Sequence, residues 1–285
     1  MLLAMAGAMS TAELGGLLAR MIRGGKIHAI SCTAANLEED LFHLIAAPDY
    51  RLVSQYRDLT PGEELSLRDE GLNRVTDTCI PETAIQPISQ KFNEYAARAG
   101  ENSESYFPFE YVYRMVDDGT LARLATSPLE HSWVVAAREM DLPIYTPGWE
   151  DSTLGNIFTA AVIEGKVPRH DVVKPGTMQM EHLVDWYCQN QSKAKIGFFQ
   201  IGGGIAGDFA ICAVPLVLQD LKRKCDFWAY FAQISDSVTS YGSYSGAVPN
   251  EKITWYKLSP ETPRFMINSD ASIVAPLIFA YVLGD

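Results

Sequence analysis

The chain has 285 residues, of which 47% are hydrophobic and 20% charged, and its formal net charge is −12. These values are typical of a globular chain and exclude a disordered, collagen-like or coiled-coil protein. The negative balance argues against general nucleic-acid binding, which needs a positively charged footprint, and is compatible with a cationic substrate.

Apolar runs and amphipathic segments alternate along the chain. In chain order the pattern predicts a strand over 1–6, a helix over 11–23, a strand over 26–32, a helix over 37–45, a polar and irregular excursion over 48–81, a helix over 82–99, a strand over 143–146, a helix over 180–191, a strand over 196–201, a helix over 208–223 and a strand over 226–234. Pro215 should either kink the helix over 208–223 or lie in its first turns. Continuous apolar strands interleaved with helices are typical of buried parallel strands in βαβ units. We therefore predict a single-domain α/β fold with a doubly wound, mostly parallel sheet.

The five cysteines are odd in number and include no C-x-x-C pair, so we predict neither a disulfide framework nor a structural zinc site, and hence no metal. The apolar start, 1–9, is short and lacks the basic residues of a signal peptide. No apolar stretch reaches the roughly 20 residues that span a membrane. We expect a cytoplasmic protein that binds no membrane.

A glycine-rich segment supplies the clearest local motif. Gly202-Gly203-Gly204-Ile205-Ala206-Gly207 follows a predicted strand and opens a predicted helix, which is the context that a G-x-G-x-x-G dinucleotide site requires. Small residues let the backbone approach a pyrophosphate, and free helix N–H groups then bind it. Asp226 follows at about the 20-residue spacing of a ribose-binding acidic residue. The alternative is a tight strand-to-helix turn without a ligand.

Two further segments combine residues that carry chemistry. Three carboxylates, Glu38, Glu39 and Asp40, open the helix after the strand that ends at Cys32, where they either cap the helix or attract an amine to the sheet edge. A loop rich in glycine, serine and tyrosine, 240–247, precedes Lys257. Most lysines are exposed surface charges, but a lysine in an aromatic, partly dry site can form imines.

Together these segments resemble the deoxyhypusine synthase family, and the matching motifs run over nearly the whole chain in the family's order. They are Thr33-Ala34-Ala35 with Glu38-Glu39-Asp40, Leu72-Asn73-Arg74, Pro147 with Asp151 and Leu154-Gly155, Gly202-Gly203-Gly204, Ser243 with Ser245-Gly246-Ala247 and Pro249, Glu251 with Trp255 and Lys257, and Ser269-Asp270-Ala271-Ser272 with Pro276-Leu277. Several separate motifs in order are more specific than any one of them.

The resemblance implies a Rossmann-like single domain that assembles into homotetramers, with active sites shared between paired subunits. It implies NAD as the cofactor and spermidine or a related polyamine as the substrate. NAD oxidises the amine, the resulting imine loses diaminopropane, and an enzyme lysine carries the aminobutyl group to an acceptor amine. The acceptor is a protein lysine in deoxyhypusine synthesis and the diamine putrescine in homospermidine synthesis.

The resemblance also assigns residues by position. Lys257 matches the lysine that forms the imine. The substrate-binding positions are Glu38, Glu39, Asn156, Asp208, Gly242, Ser243, Tyr244, Glu251 and Trp255. The NAD-binding positions are Gly7, Ala8, Met9, Ser10, Thr11, Thr33, Ala34, Ala35, Glu39, Asp151, Gly203, Gly204, Asp236, Ser237, Asp270 and Ala271. On this mapping Asp270 replaces Asp226 as the candidate for the adenosine ribose, and Asp226 becomes a structural residue.

The chain departs from the family's pattern in the amine pocket. Asp208 stands where the family has a histidine, while Tyr244, Asn156 and Tyr241 stand where it has aspartates. Loss of a charge partner from a partly dry amine site costs a few kcal/mol, which changes the preferred substrate. The chain, taken as one catalytic domain over 1–285, also begins almost at the first NAD loop, so we expect the family's N-terminal helical extension to be missing.

The sequence is compatible with three functions. The first is an NAD-dependent aminobutyltransferase, with a diamine acceptor slightly favoured over a protein lysine. The second is an NAD-linked amine dehydrogenase that releases its product without transfer. The third is a non-catalytic relative that binds NAD or polyamine, which the changes at Asp208, Tyr244 and Asn156 favour.

Overall fold

The structure, a computed structural model, describes the backbone of residues 1–285 and every side chain except that of Tyr244. The strands are β1 (Leu2–Met5), β2 (Ala29–Cys32), β3 (Arg51–Leu52), β4 (Leu72–Val75), β5 (Thr78–Pro81), β6 (Ile144–Tyr145), β7 (Gly197–Ile201), β8 (Tyr230–Ile234) and β9 (Arg264–Ile267). Six of them form a sheet in the order β6-β2-β1-β7-β8-β9 in which every neighbouring pair is parallel. The predicted α/β fold with a parallel sheet is confirmed.

The α-helices are α1 (Gly15–Arg23), α2 (Ala34–Ala46), α3 (Pro61–Asp69), α4 (Ile85–Glu101), α5 (Pro108–Asp117), α6 (Thr120–Leu124), α7 (Trp133–Glu139), α8 (Thr153–Ile163), α9 (Gly176–Gln191), α10 (Gly204–Ile211), α11 (Ala213–Pro215), α12 (Glu251–Thr254) and α13 (Ala271–Leu283). Short 3-10 turns cover Ala47–Asp49, Glu82–Ala84, Leu129–His131 and His170–Val172, and a π-helical turn covers Leu216–Asp220. In the described part of the chain, no helix is both long enough and apolar enough to cross a membrane.

The strands of the parallel sheet other than β9 are largely buried, which explains their continuous apolar runs, while β9 at one edge is partly exposed. Leu3 and Met5 of β1 belong to the hydrophobic core on one face, while Leu2 and Ala4 belong to the core on the other. The strand order reverses direction between β1 and β7, since β2 and β6 lie on one side of β1 and β7 to β9 on the other. In such sheets the carboxyl edge at the reversal is where ligands bind.

The segment 48–81 is not irregular, contrary to the sequence prediction. It forms a second sheet with the order β3-β5-β4, all antiparallel, and the helix α3. Thr60 and Glu63 form a reciprocal capping box that begins α3. The strands β3 and β4 are exposed or half-buried and polar, so they lack the apolar pattern by which the sequence reveals a strand.

Pro215 interrupts the helix predicted over 208–223. The helical segment begins earlier, at Gly204, breaks after Ile211, and ends in the π-helical turn. Proline has no N–H to donate to the carbonyl four residues before it. That carbonyl belongs to Ile211, and it accepts a hydrogen bond from Trp228 Nε1 at 3.0 Å instead.

Candidate functional site

A cleft of about 510 Å³ opens where the carboxyl ends of five parallel strands meet, and we call it the sheet-edge cleft. Each of β1, β2, β7, β8 and β9 contributes residues that directly follow it. The lining residues are Ala6, Gly7, Met9, Thr33, Ile201, Gly202, Gly203, Gly204, Ile205, Ile234, Ser235, Asp236, Ser245, Ser269, Asp270 and Ala271. The cleft therefore lies at the point of strand reversal, which is the usual ligand position in this architecture.

The glycine loop forms the centre of this cleft. Gly202 and Gly204 have φ angles of 72° and 63°, a region that favours glycine. A Cβ on Gly203 would lie 2.1 Å from Ser245 Oγ, so only glycine lets the serine-rich loop pack there. The helix α10 then begins without a side-chain cap. Its first N–H groups are available to an anion such as a pyrophosphate.

A row of polar side chains beneath the loop holds it against the sheet. Ser31 Oγ donates to the Ala206 carbonyl at 2.7 Å. Gln233 Nε2 donates to the carbonyls of Gly202 at 2.9 Å and Ser245 at 2.7 Å, which joins the two loops. Gln233 Oε1 is buried and has no hydrogen-bond partner among the described residues. The sequence analysis did not identify this glutamine, because a glutamine within an apolar strand carries no motif.

Asn36 fixes the loop that follows β1, and it too was not predicted from the sequence. It is fully buried, and its amide donates to the carbonyl of Gly7 at 2.8 Å and accepts from the backbone N–H of Ser10 at 3.0 Å. Ser10 Oγ donates to the Asn36 carbonyl and accepts from Trp133 Nε1. These bonds fix the loop after β1 in the conformation that lines the cleft.

The predicted NAD-binding residues divide into two groups in the structure. Those that line the sheet-edge cleft are Gly7, Met9, Thr33, Gly203, Gly204, Asp236, Asp270 and Ala271. Those that do not line it are Ala8, Ser10, Thr11, Ala34, Ala35, Glu39, Asp151 and Ser237. Ser10 and Thr11 are buried behind the lining, where Thr11 Oγ1 donates to Glu39 Oε2 at 2.7 Å.

The two candidate ribose carboxylates lie at opposite ends of the sheet. Asp270 directly precedes α13 and lines the cleft, and its Oδ1 accepts from the N–H and hydroxyl of Ser272, both at 2.8 Å. Asp226 precedes the amino end of β8 and pairs with Lys195 at 2.8 Å. Its position agrees with the structural role to which the family mapping assigned it.

The three carboxylates do not open α2, contrary to the sequence prediction, because the helix begins at Ala34 with Thr33 as its N-cap and has no acidic residue in its first turn. All three are buried and already bonded within the chain. Glu38 accepts from the backbone N–H groups of Thr153 and Leu154, and so caps α8. Asp40 accepts from Ser132, Trp133 and Val134 at the start of α7. Burial raises the pKa of Glu38, raises that of Glu39 to about 7 and raises that of Asp40 to about 6.

A second cleft, of about 460 Å³, contains the predicted imine-forming lysine, and we call it the lysine cleft. It is lined by Asp208, Cys212, Pro215, Leu216, Gln219, Asp220, Trp255 and Lys257. Lys257 is 8% exposed, and its amine forms no ion pair among the described residues. Burial raises the pKa of the Cys212 thiol, and the nearby Lys257 amine opposes that rise.

The two clefts lie along one helical segment. Gly204 lines the sheet-edge cleft, and Asp208, in the lysine cleft, follows about one turn later, about 6 Å along α10. The structure therefore places the glycine loop and the cleft that contains the buried lysine at neighbouring positions along α10, while Lys257 itself follows α12.

A second buried lysine, Lys252, lies beside Lys257 and was not identified from the sequence. It is 7% exposed, its Nζ lies 4.9 Å from the centroid of the Phe231 ring, and its carbonyl accepts from the Lys257 N–H. Burial lowers its pKa, and the charge of Lys257 adds to that effect.

The other predicted substrate residues, as far as their side chains are described, do not line the lysine cleft. Asn156 is exposed on α8, where its amide donates to the Ser152 carbonyl, and Glu251 is exposed at the start of α12. Gly242 is exposed and Ser243 is half-buried. The prediction for Tyr244 concerns a side chain outside the described set. Glu38 and Glu39 lie on α2, and neither lines the lysine cleft.

The chain is similar to known proteins over most of its length. The family model of deoxyhypusine synthase matches residues 1–282. Probable deoxyhypusine synthase 1 of Archaeoglobus fulgidus is 24% identical over 99% of this chain and 82% of its own length. A deoxyhypusine synthase-like protein of Nostoc punctiforme is 29% identical over 98% of this chain and 70% of its own.

The fold is also similar to a solved structure. A crystal structure from Entamoeba histolytica, assigned as a deoxyhypusine synthase, superposes with a TM-score of 0.58 at 14% identity, covering 98% of this chain and 72% of that one. The family match over nearly the whole sequence shows that this protein belongs to the deoxyhypusine synthase family.

Proposed function

We propose that the protein is an NAD-dependent transferase that moves the aminobutyl group of spermidine, or of a related polyamine, to an acceptor amine through an imine on Lys257. Family membership indicates an enzyme of the transferase class. The observation that carries the finer proposal is Lys257, a buried lysine without an ion pair among the described residues, in a cleft one helical turn from a glycine loop.

The sheet-edge cleft fits a dinucleotide. The uncapped start of α10 suits a pyrophosphate, Gly204 leaves the space beside it open, and Asp270 and Asp236 are available to ribose hydroxyls. Bound NAD would act as the hydride acceptor for oxidation of the donor amine, and the resulting NADH would supply the hydride that reduces the final imine. Gln233 and Asn36 would hold the loops that shape this cleft.

Lys257 would act as the nucleophile. Its uncharged amine attacks the carbon of the oxidised donor, the bond from that carbon to the departing nitrogen breaks, and diaminopropane leaves with the proton. The acceptor amine then displaces Lys257 from the same carbon. Trp255 lines the cleft beside the lysine, and Asp208 provides a carboxylate for an ammonium group of the substrate.

The acceptor is either a protein lysine or a diamine. The family's name favours the protein lysine. The altered amine pocket, with Asp208, Asn156 and Tyr244 at positions that differ from the family pattern, favours the diamine. Glu38 and Glu39 do not line the lysine cleft of their own chain, which supports an active site shared between subunits of a homotetramer. A cytoplasmic location is part of this proposal.

Product analysis tests the proposal. The protein is incubated with NAD and spermidine, with and without putrescine, and the amines are identified by mass spectrometry. We expect diaminopropane in both samples and homospermidine when putrescine is present. Lys257→Arg should abolish transfer and retain part of the NAD-dependent cleavage of the donor, and transfer by that variant would contradict the assignment of Lys257.

Two other functions would give different results. An amine dehydrogenase without transfer would accumulate NADH in proportion to the donor consumed. A non-catalytic relative would bind NAD tightly and turn over none of a panel of amines. The changed residues Asp208 and Asn156 are the features that favour this third function.

A further inference from the structure

The last helix, α13 (Ala271–Leu283), carries no charged residue. One side of it is buried in the core through Phe279. The opposite side is exposed, because Ile273, Leu277 and Tyr281 recur every fourth position and are 64%, 67% and 86% exposed. We call these three residues the α13 face.

A helix surface of this kind is normally covered. Helices that are apolar on all sides lie in the interior of a protein or in a membrane. With 13 residues, α13 is shorter than the roughly 20 residues that span a membrane. The α13 face is therefore a candidate surface for contact with another protein.

A pocket beside the α13 face can accept an aromatic ring. Its volume is about 340 Å³, and its lining is mainly apolar and includes Phe199, Ile278 and Val282. Tyr281 lies between Ile278 and Val282 along the helix, so its exposed ring stands next to this pocket. Lys26 also lines the pocket and can donate to the phenol oxygen, which needs a hydrogen-bond partner once it is buried. Two copies related by a two-fold axis can exchange such a ring and pocket reciprocally.

The charge of the chain also favours a second copy as the partner. Two chains with a net charge of −12 repel each other, so they approach best through a surface without carboxylates. The α13 face contributes none, and Asp285, which follows the helix, is paired with Arg20 at 2.7 Å. A partner recognised by its charge would need opposite charges on this face, and α13 supplies none.

The accessible surface of the chain is large enough for such a contact. It amounts to 13690 Å². A folded monomer of this mass exposes about 12,100 Å², so the chain exposes about 1,600 Å² more than a monomer of its size. A stable interface buries about 800 Å² on each partner. The excess surface therefore exceeds what one standard interface needs.

We propose that the α13 face joins two copies of this chain around a two-fold axis, with each Tyr281 ring seated in the apolar pocket of the other copy. The proposal goes beyond the proposed reaction, because it names a surface that joins two subunits and is measured without turnover. It is independent of Lys257 and of the two clefts.

The test measures the mass of the protein by sedimentation velocity over a range of protein concentrations. We expect the unmodified protein to assemble and Leu277→Glu to have at most half its mass, because two facing glutamates would bury unpaired charges. Far-UV circular dichroism should show the same helix content, since Leu277 is exposed within one chain. Tyr281→Ala should raise the concentration of half-assembly at least about tenfold, as for an aromatic anchor that fills a pocket.

Leu52→Glu is the matched control. Leu52 is 75% exposed on β3 of the small antiparallel sheet, and its replacement should leave the mass unchanged. A monomeric unmodified protein would overturn the proposal, including a monomer that co-sediments with phosphatidylcholine vesicles. So would an unchanged mass in Leu277→Glu, an unchanged half-assembly concentration in Tyr281→Ala, or an equal loss of mass in Leu277→Glu and Leu52→Glu. Absent aminobutyl transfer with the expected masses would contradict only the proposed function.

Discussion

Lys252 belongs to no sequence motif, and its effect on stability comes from its surroundings in the folded chain. It is 7% exposed, it lies over the Phe231 ring, and burial and the charge of Lys257 lower its pKa. The unfolded chain keeps its proton up to about the ordinary lysine value of 10.5. Below the lowered pKa the folded protein carries a buried charge, and this reduces its stability.

This linkage predicts the pH dependence of stability. Between the lowered pKa of Lys252 and 10.5, the unfolded state binds more protons than the folded state, so the free energy of unfolding rises with pH. Lys252→Met should raise the free energy of unfolding at pH 7 by on the order of 1 kcal/mol and flatten that rise. Urea denaturation at several pH values from 7 to 10.5 measures both effects.

Lys193→Met provides the matched control, since Lys193 is exposed after α9. It should leave the pH slope unchanged. A steeper rise, or a loss of stability at pH 7, in Lys252→Met would show that the buried amine stabilises the fold instead.

Single residues also show how far the sequence predicts the site. The positions of Lys257, Trp255 and Asp208 around one cleft follow from motifs that the sequence displays. Asn36 and Gln233 escaped prediction because each bonds the main chain of segments distant in sequence, such as Gly7 and Ser245. Such a hydrogen bond forms only in the folded chain, so no local sequence pattern predicts it.

At the scale of elements, the glycine loop depends on the serine-rich loop that packs against it. A Cβ on Gly203 would lie 2.2 Å from Ser245 Cβ and 2.1 Å from its Oγ, so one loop must move. Gly203→Ala should therefore lower the free energy of unfolding by about 1–3 kcal/mol, the usual cost of overpacking. It should also weaken NAD binding about tenfold, because the loop lines the cleft.

Gly16→Ala is the control for this prediction. Gly16 lies in α1 with open space where its Cβ would be, so alanine should stabilise the helix by up to about 1 kcal/mol and leave NAD binding unchanged. Chemical denaturation and NAD titration calorimetry measure the two quantities. Equal NAD affinities for Gly203→Ala and Gly16→Ala would contradict the role given to the loop.

Elements were predictable where their residues are buried in a regular pattern. The strands β1, β2, β7 and β8 were found because each is a buried apolar run. The antiparallel sheet of β3, β4 and β5 was missed because two of its strands are polar and exposed or half-buried. Pro215 was expected to disturb its helix, and the helix does break after Ile211, whereas the π-helical turn over Leu216–Asp220 was not expected.

For the whole molecule, the order of strands determines where chemistry can occur. The reversal between β1 and β7 collects five strand ends at one edge and leads directly into α10. The net charge of −12 belongs to the whole chain, whereas Asp208 and Asp220 are the carboxylates that line the lysine cleft among the described residues. The overall balance of charge therefore gives little indication of the substrate.

The most direct test of the central claim is to trap the imine on the enzyme. The protein is incubated with NAD and spermidine, sodium cyanoborohydride is added, and the modified lysine is located by peptide mass spectrometry. The account predicts an aminobutyl adduct on Lys257 that requires both NAD and spermidine. Formation of diaminopropane with the adduct on Lys252, or with no lysine modified, would contradict it.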